Sequence, residues 1–302
     1  MKIVQANDIT ERIMHLYNVG NYPGLSTGWN CLDKHYTVRK GNTTIITGYP
    51  TSGKTSFYLN LLMNLTKKFS HRHLIYSPET GTADEIYSEL IFMHTGKTFN
   101  KQHGNAITEK EVYNSLPFIH EYFKIIEPEE TDNTPDNFYE LCKEGFKQFE
   151  INTFGIDNWN DLEHDIRTRG GSISEYLKYE IPRFNRFAKT NNAHGFLLAH
   201  PRNPELGAPK PLPPPRPDQI EGGSLWYAKA QSMLVVHRNW DDPNDYTTLV
   251  KVEKAKPKIV GKKGGAAELT YYAALGIYKD DTYKPIQDAN NEDLKPFNPA
   301  PF

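Results

Sequence analysis

The sequence predicts an α/β fold built on a doubly wound, mostly parallel sheet with antiparallel strands at its edge. Three observations carry that expectation. Six short apolar runs recur along the chain: TTIIT (43–47), HLIYS (73–77), FKIIE (123–127), TFGID (153–157), GFLLA (195–199) and MLVVH (233–237). They are nearly continuous in apolar residues, as strands buried on both faces are. Helical patterns lie between several of them, at 54–68, 82–95, 134–149 and 173–190, and such alternation makes parallel sheets. Two β-rich runs near the end, TTLVKVEKA and LTYYAALGIY, read as an antiparallel pair at the sheet edge.

The remaining segments follow in order. DITERIMHLYN (8–18) reads as a short amphipathic helix, with Asp8 as its cap and Ile9, Ile13, Leu16 and Tyr17 on one side. GNYPGLSTG breaks it. Pro182 falls inside the last helical pattern, and an interior proline costs about 3 kcal/mol, so a kink or a later helix start is expected there. APKPLPPPRPDQ (208–219) reads as extended, polyproline-like and solvent-facing. The tail DANNEDLKPFNPAPF reads as disordered.

Composition narrows the classes. The 302 residues, 37% hydrophobic, suffice for one large core or two small ones. The formal net charge is −2, so any nucleic-acid contact must be local rather than a global basic surface. Cys31 and Cys142 stand far apart in no metal-type spacing, which implies neither a disulfide framework nor a zinc site and fits a reducing, cytoplasmic compartment. The N-terminus has no apolar signal region, and no apolar run approaches membrane-spanning length.

The chemistry begins at GYPTSGKTS (48–56). Gly48-x-x-x-x-Gly53-Lys54-Thr55 matches the P-loop pattern in full. The glycines let consecutive backbone N–H groups turn toward phosphates, and the following helix offers its positive end to the same anion. Gly48, Ser52, Gly53, Lys54, Thr55 and Ser56 are therefore candidate contacts for ATP or another NTP or dNTP. Lys54 would reach the β- and γ-phosphates, and the Thr55 hydroxyl would ligate Mg²⁺.

Three ionisable residues end predicted strands: Glu79 after LIYSP, Asp157 after TFGI and His200 after GFLLA. In a doubly wound sheet those ends form the ligand crevice. Asp157 fits an acid that holds Mg²⁺ through water. Glu79 fits the base that deprotonates the attacking water. His200 fits a sensor of the γ-phosphate through a ring N–H.

The order STGWNCLDKHY, TGYPTSGKTS, YSPE, GIDNWNDLEH, LLAHP and IEGGSLWYAKAQSMLVVHR resembles the RecA-like motor domain of DnaB-like replicative helicases, in the Twinkle-like and phage primase-helicase branch. The resemblance spans roughly residues 20 to 278. It implies a hexameric ring around single-stranded DNA, with NTP hydrolysed between subunits to drive movement 5′ to 3′. Three parts are then expected: a linker helix in 1–19 that packs on the neighbouring subunit, a motor in 20–280 and a tail in 281–302 that docks on a primase, polymerase or single-strand-binding protein. The host would be a bacterium or a phage-infected cell. A strand-exchange recombinase and a non-motor, nucleotide-switched module are the competing readings.

The same resemblance implies a Lys-x-Arg pair on a late strand that reaches into the neighbour's site. Here VEKAKPKIVGKKG puts Lys254 at the lysine position and Lys256 at the arginine position. A lysine brings charge without the planar fork of arginine. The segments after the Asp157 and His200 strands would face the DNA channel, with Arg167, Arg169, Arg202, Lys210 and Arg216 on the phosphates.

Overall fold

The structure is a computed structural model that describes residues 3–20, 23–79, 82–127, 133–204, 210–239 and 245–281. One nine-stranded sheet organises it, in the order β3-β2-β4-β5-β1-β6-β7-β8-β9. The strands are β1 (Thr43–Thr47), β2 (Arg72–Tyr76), β3 (Phe123–Ile126), β4 (Ile151–Ile156), β5 (His194–Ala199), β6 (Ser232–Arg238), β7 (Thr247–Lys254), β8 (Ala266–Tyr272) and β9 (Ile277–Lys279). The first six run parallel, and β7 to β9 are antiparallel. The C-terminal ends of β1, β2, β4, β5 and β6 therefore share one edge.

Period-2 alternation sends neighbouring apolar residues of one run to opposite faces. Ile46, Ile75, Phe196 and Leu198 join one core, with Phe57, Leu61 and Leu90. Ile45, Leu74, Leu197 and Ala199 join the other, with Phe138, Leu177 and Phe184. The first face carries α3 (Lys54–Phe69), α4 (Ala83–Thr95) and α5 (Glu109–Tyr122), and the second α6 (Pro135–Gln148), α7 (Ile173–Thr190) and α8 (Ser224–Lys229). Two short helices precede the sheet, α1 (Thr10–Val19) and α2 (Asn30–Asp33).

Four expectations need correction. Asp8 does not cap α1. A 3-10 turn, Ala6–Ile9, precedes that helix, and the Asp8 carboxylate accepts from the Gln5 N–H at 3.0 Å. Pro182 neither delays nor divides α7, which is assigned without a break from Ile173 to Thr190. The carbonyl deprived of its donor belongs to Lys178, an exposed residue, so water can take the bond. Burial of Tyr176, Leu177, Ile181 and Phe184, at about 1.5–3 kcal/mol per side chain, outweighs the proline. LTYYAALGIY is not one strand, because a 3-10 turn at Ala273–Leu275 folds it into the β8–β9 hairpin. The proline run is not wholly solvent-facing, since Pro215 is buried. Its residues 208 and 209 and the tail from 282 onward lie outside the described residues.

Candidate functional site

Residues 48–53 connect the end of β1 to the start of α3 in a turn that only these residue types fit. Gly53 sits at φ +83°, where an added Cβ would also lie 2.5 Å from the Tyr278 hydroxyl. A Cβ on Gly48 would lie 2.2 Å from the Val236 carbonyl and 2.5 Å from Ser52 Oγ. The glycines thus keep open a cradle in front of the α3 N-terminus. Lys54 opens that helix. Its ammonium is buried and donates to the Tyr49 carbonyl at 3.1 Å, inside its own loop. Burial pulls the Lys54 pKa down to about 8, against the nearby Asp157 and Glu79 carboxylates that hold it up.

Asp157 follows β4 and is 1% exposed. Both its oxygens are sealed from solvent without a well-formed hydrogen bond. Burial raises its pKa to about 6, partly offset by the Thr55 hydroxyl alongside, while Glu79 pushes it further up. Ser52 Oγ and Thr47 Oγ1 are also buried without partners. A lysine and an aspartate drawn toward their neutral forms, beside unpaired hydroxyls and an open backbone cradle, fit a bound phosphate and a divalent cation. Each would restore the charge that burial disfavours. Lys54, Thr55 and Asp157 are the residues that could hold them.

Glu79 lies beyond β2 and faces the same edge. Its Oε2 accepts from Asn158 Nδ2 and from His200 Nε2, the latter at 3.3 Å. The His200 contact is the main reason its pKa falls to about 2, with burial opposing and Asn158 assisting. His200 follows β5, and its backbone N–H donates to Asn160 Oδ1 at 2.9 Å. Lys54, Thr55, Asp157, Glu79 and His200 therefore converge at one edge of the sheet. Chemically, the set offers a cation and amides for phosphates, a carboxylate for a metal, and a second carboxylate able to take a proton from water.

The other expected residues lie elsewhere. The Ser56 hydroxyl lies beside the Tyr271 phenol, and its carbonyl accepts from Asn60 at 2.9 Å. Lys254 ends β7, whose antiparallel course brings it opposite Met233 at the start of β6. Its ammonium is buried, donates to the Tyr227 carbonyl and, at 3.2 Å, to the Ala228 carbonyl, and so caps the end of α8. Lys256 is exposed, and its carbonyl accepts from Asn42, the residue before β1, at 2.8 Å. Both lysines thus stand at the opposite edge of the sheet from the chain's own P-loop. Arg167 and Arg169 form a 3-10 turn after the Asp157 strand, with Arg167 exposed. Arg202 donates to the carbonyls of Gln219 and Asp218 at 3.4 and 3.5 Å. Arg216 pairs with Asp218 at 2.8 Å, and Lys210 is exposed.

Sequence reasoning missed Asn158 and Asn160. The signal was present in GIDNWND, where two amides flank the end of a strand that already carried an acid. It also missed Tyr278, whose hydroxyl donates to the Gly53 carbonyl at 3.4 Å from 225 residues away. No local pattern announces that contact.

A P-loop sequence between the central parallel strand and its helix, an acid two strands away and antiparallel strands at one side make up a RecA-like α/β fold. No family model matches the chain. In sequence it is 28% identical over 277 residues to the Twinkle homolog protein, chloroplastic/mitochondrial, of Arabidopsis thaliana, an alignment covering 88% of this chain. The chain spans 38% of that relative's length. In fold it matches a solved ATPase domain, with a TM-score of 0.73, 14% identity, and coverage of 92% of this chain and 99% of that one. A DnaB-like replicative helicase, solved for its interactions with primase, matches with a TM-score of 0.66, 16% identity, and coverage of 92% and 67%. The resemblance to DnaB-like, Twinkle-like motor domains therefore rests on sequence through the plant protein and on fold through the two structures.

Proposed function

We propose that this chain is the motor of an NTP-driven replicative DNA helicase, working as a ring of copies, six in the expected form, that moves 5′ to 3′ on single-stranded DNA. The observation that carries the reading is the division of polar groups between the two edges of one sheet. Lys54, Thr55, Asp157, Glu79 and His200 gather at one edge, while Lys256 lies at the other, away from the chain's own P-loop, which supports a role in a neighbour's site.

In this reading Lys54 and the amides after Gly53 hold the β- and γ-phosphates. Thr55 and Asp157 hold Mg²⁺, which when bound neutralises phosphate charge. Glu79 accepts the proton of the attacking water, and His200 reads the γ-phosphate through its ring N–H. The neighbouring copy supplies Lys256 as the finger, a role arginine fills with better geometry. Lys254 supports it by fixing the end of β7 against α8. Arg167, Arg169, Arg202, Lys210 and Arg216 track the DNA backbone.

The linker-helix reading also has support. No described side chain of α1 from 10 to 18 is buried, and Ile13, Met14, Leu16 and Tyr17 are all exposed. An open apolar groove of about 680 Å³ lies between α4 and α5, lined by Tyr87, Ile91, Phe99, Val112 and Leu116. We assign α1 of one copy to this groove of the next. Intact assembly after deletion of residues 1–20 would overturn that assignment. The tail from 281 remains the proposed dock for a primase, polymerase or single-strand-binding protein, and a tail-less version should lose such binding.

The test is NTP hydrolysis with and without single-stranded DNA, for wild type, Glu79→Gln, Lys256→Ala and a mixture of the two variants. Strong DNA stimulation, lost in each variant alone, is expected. The 1:1 mixture should regain activity, because about one interface in four then combines an intact Glu79 with an intact Lys256. Slow, DNA-indifferent hydrolysis would favour a nucleotide-switched binding module instead, the reading that a lysine at the finger position supports.

A further inference from the structure

Asn158 has no part in the mechanism above, yet it sits at the centre of the polar contacts around the base. Its amide nitrogen has two hydrogens, and each goes to a different carboxylate. One bonds Glu79 Oε2, and the other bonds Asp161 Oδ2 at 2.9 Å. Its side-chain oxygen accepts from the Asn160 N–H at 2.8 Å. Asn158 is 1% exposed, so water does not compete for any of these bonds.

The effect on Glu79 is geometric. Asn158 and His200 both address the same oxygen, Oε2. A carboxylate oxygen that already accepts two hydrogen bonds has no lone pair directed at a further donor. In this arrangement Oε2 is withheld from an attacking water, and the two bonds fix the direction in which the remaining oxygen, Oε1, points.

The turn that carries Asn158 is also fastened to the basic segment that follows it. Trp159 lies against the His164 ring, tilted by 33° at 4.7 Å between centroids, and the Trp159 carbonyl lies 2.9 Å from His164 Nε2. His164 Nδ1 lies 2.9 Å from the Tyr176 hydroxyl on α7. Asn133 Nδ2 donates to the Asp161 carbonyl at 2.7 Å, and the Glu163 N–H donates to the Asn133 carbonyl at 2.8 Å. The 3-10 turn Arg167–Arg169 follows directly. Displacement of that turn reaches Asn158 through a short, bonded stretch of chain.

We propose that Asn158 is a positioning residue that restrains Glu79, and that single-stranded DNA on the Arg167–Arg169 turn releases the restraint through the Asn158–Asp161 turn. This rests on the helicase reading. It assigns DNA stimulation of hydrolysis to a particular hydrogen bond between an amide and the base.

The experiment is steady-state NTP hydrolysis with and without a single-stranded oligonucleotide, for wild type, Asn158→Ala, Asn158→Ser, Arg167→Ala and the Asn158→Ala/Arg167→Ala double variant. Nucleotide binding is measured for each to verify a folded site. In Asn158→Ala, DNA-free turnover should rise by up to about tenfold, the scale of a freed general base, and the stimulation ratio should fall by the same factor, with KM unchanged. Arg167→Ala should lower stimulation in wild type but not in the Asn158→Ala background, since both lie on one path. Asn158→Ser, smaller and still polar, should fall between wild type and alanine. If wild type is stimulated and the Asn158 variants keep its ratio, or lose both rates in proportion, the relay is wrong and the helicase reading survives. If wild type is not stimulated at all, both fall.

Discussion

The buried histidines of β2 and β5 and three buried polar groups beside the P-loop stand in contrast. Near the start of β2 and β5, the strand histidines His73 and His194 are partnered at both ring nitrogens, although His71 Nδ1 and Ser232 Oγ close by are not. His73 on β2 contacts Thr153 Oγ1 at 2.6 Å and Thr66 Oγ1 at 2.9 Å. His194 on β5 contacts the Arg39 carbonyl at 2.7 Å and Thr44 Oγ1 at 2.9 Å. Asp157, Ser52 and Thr47 are just as buried and have no well-formed bond. The two histidines are bonded within the sheet, whereas Asp157, Ser52 and Thr47 gather around the P-loop without partners. A satisfied buried polar group supports the fold, whereas an unsatisfied one costs stability and is retained where a ligand will supply the missing partner.

The largest effect that tests this contrast is expected from Asp157→Asn. It should abolish Mg²⁺-dependent hydrolysis, by about a thousandfold or more. It should also raise the stability of the nucleotide-free protein by about 1–3 kcal/mol, because it removes a buried, unpaired acid. A fall in the urea midpoint of the free protein would contradict the contrast. His73→Ala should do the reverse. It leaves the Thr153 hydroxyl unpaired beside a cavity, while Thr66 keeps its bond to the His71 carbonyl at 3.1 Å, and should cost about 3 kcal/mol in urea unfolding without changing nucleotide affinity.

Acid should divide the two sets next. Burial holds the His194 pKa down at about 4 and that of His73 well below its ordinary value of 6.5. Unfolded histidines take up protons first, so their contribution, fully present above pH 6.5, is lost as pH falls toward 4. For His194 alone the loss approaches about 3 kcal/mol. Asp157 has the opposite sign. Its folded pKa of about 6 exceeds the ordinary aspartate value of 3.8, so folding gains stability from it as pH falls from 6 to 3.8. Asp157→Asn should therefore steepen the acid-side loss in a stability–pH profile. An unchanged slope would remove Asp157 from the balance.

The smallest effect is the cleanest comparison, because it lies within one strand. Thr44 and Thr47 both belong to β1 and both are buried. The Thr44 hydroxyl lies 2.6 Å from the Tyr36 hydroxyl and 2.9 Å from His194, while the Thr47 hydroxyl has no partner. Thr44→Val should cost about 1 kcal/mol, and Thr47→Val about nothing in the nucleotide-free protein. Equal costs would mean that the unpaired hydroxyl is satisfied in solution.

Much of this was legible in the chain. Every parallel strand was readable as an apolar run, because burial on both faces removes the polar alternation that otherwise obscures short strands. The P-loop and the three strand-end ionisable groups could be read for the same reason, since a parallel sheet sends strand ends to one edge. Helix α5 was not. Its capping box, Thr108 with Glu111, is present, but Pro117 lies inside the pattern and obscures it. As with Lys178 below Pro182, the residue four before it, Tyr113, is 65% exposed, so the proline's cost falls on a carbonyl that water can reach. The contacts of Asn158, Tyr278 and Lys254 depend on elements that meet only after folding. No spacing rule connects Lys254 to the end of α8.

Trp159 adds a consequence of a different kind. Its indole is 3% exposed, lies against His164 and meets Trp226 edge-on at 6.3 Å. It adjoins Asn158 in the chain. The turn between the base and the basic segment therefore carries its own chromophore, whose emission colour follows the polarity around it. With Trp29, Trp226 and Trp240 replaced by phenylalanine, the fluorescence of this one ring would register motion of the turn in real time, before any phosphate is released.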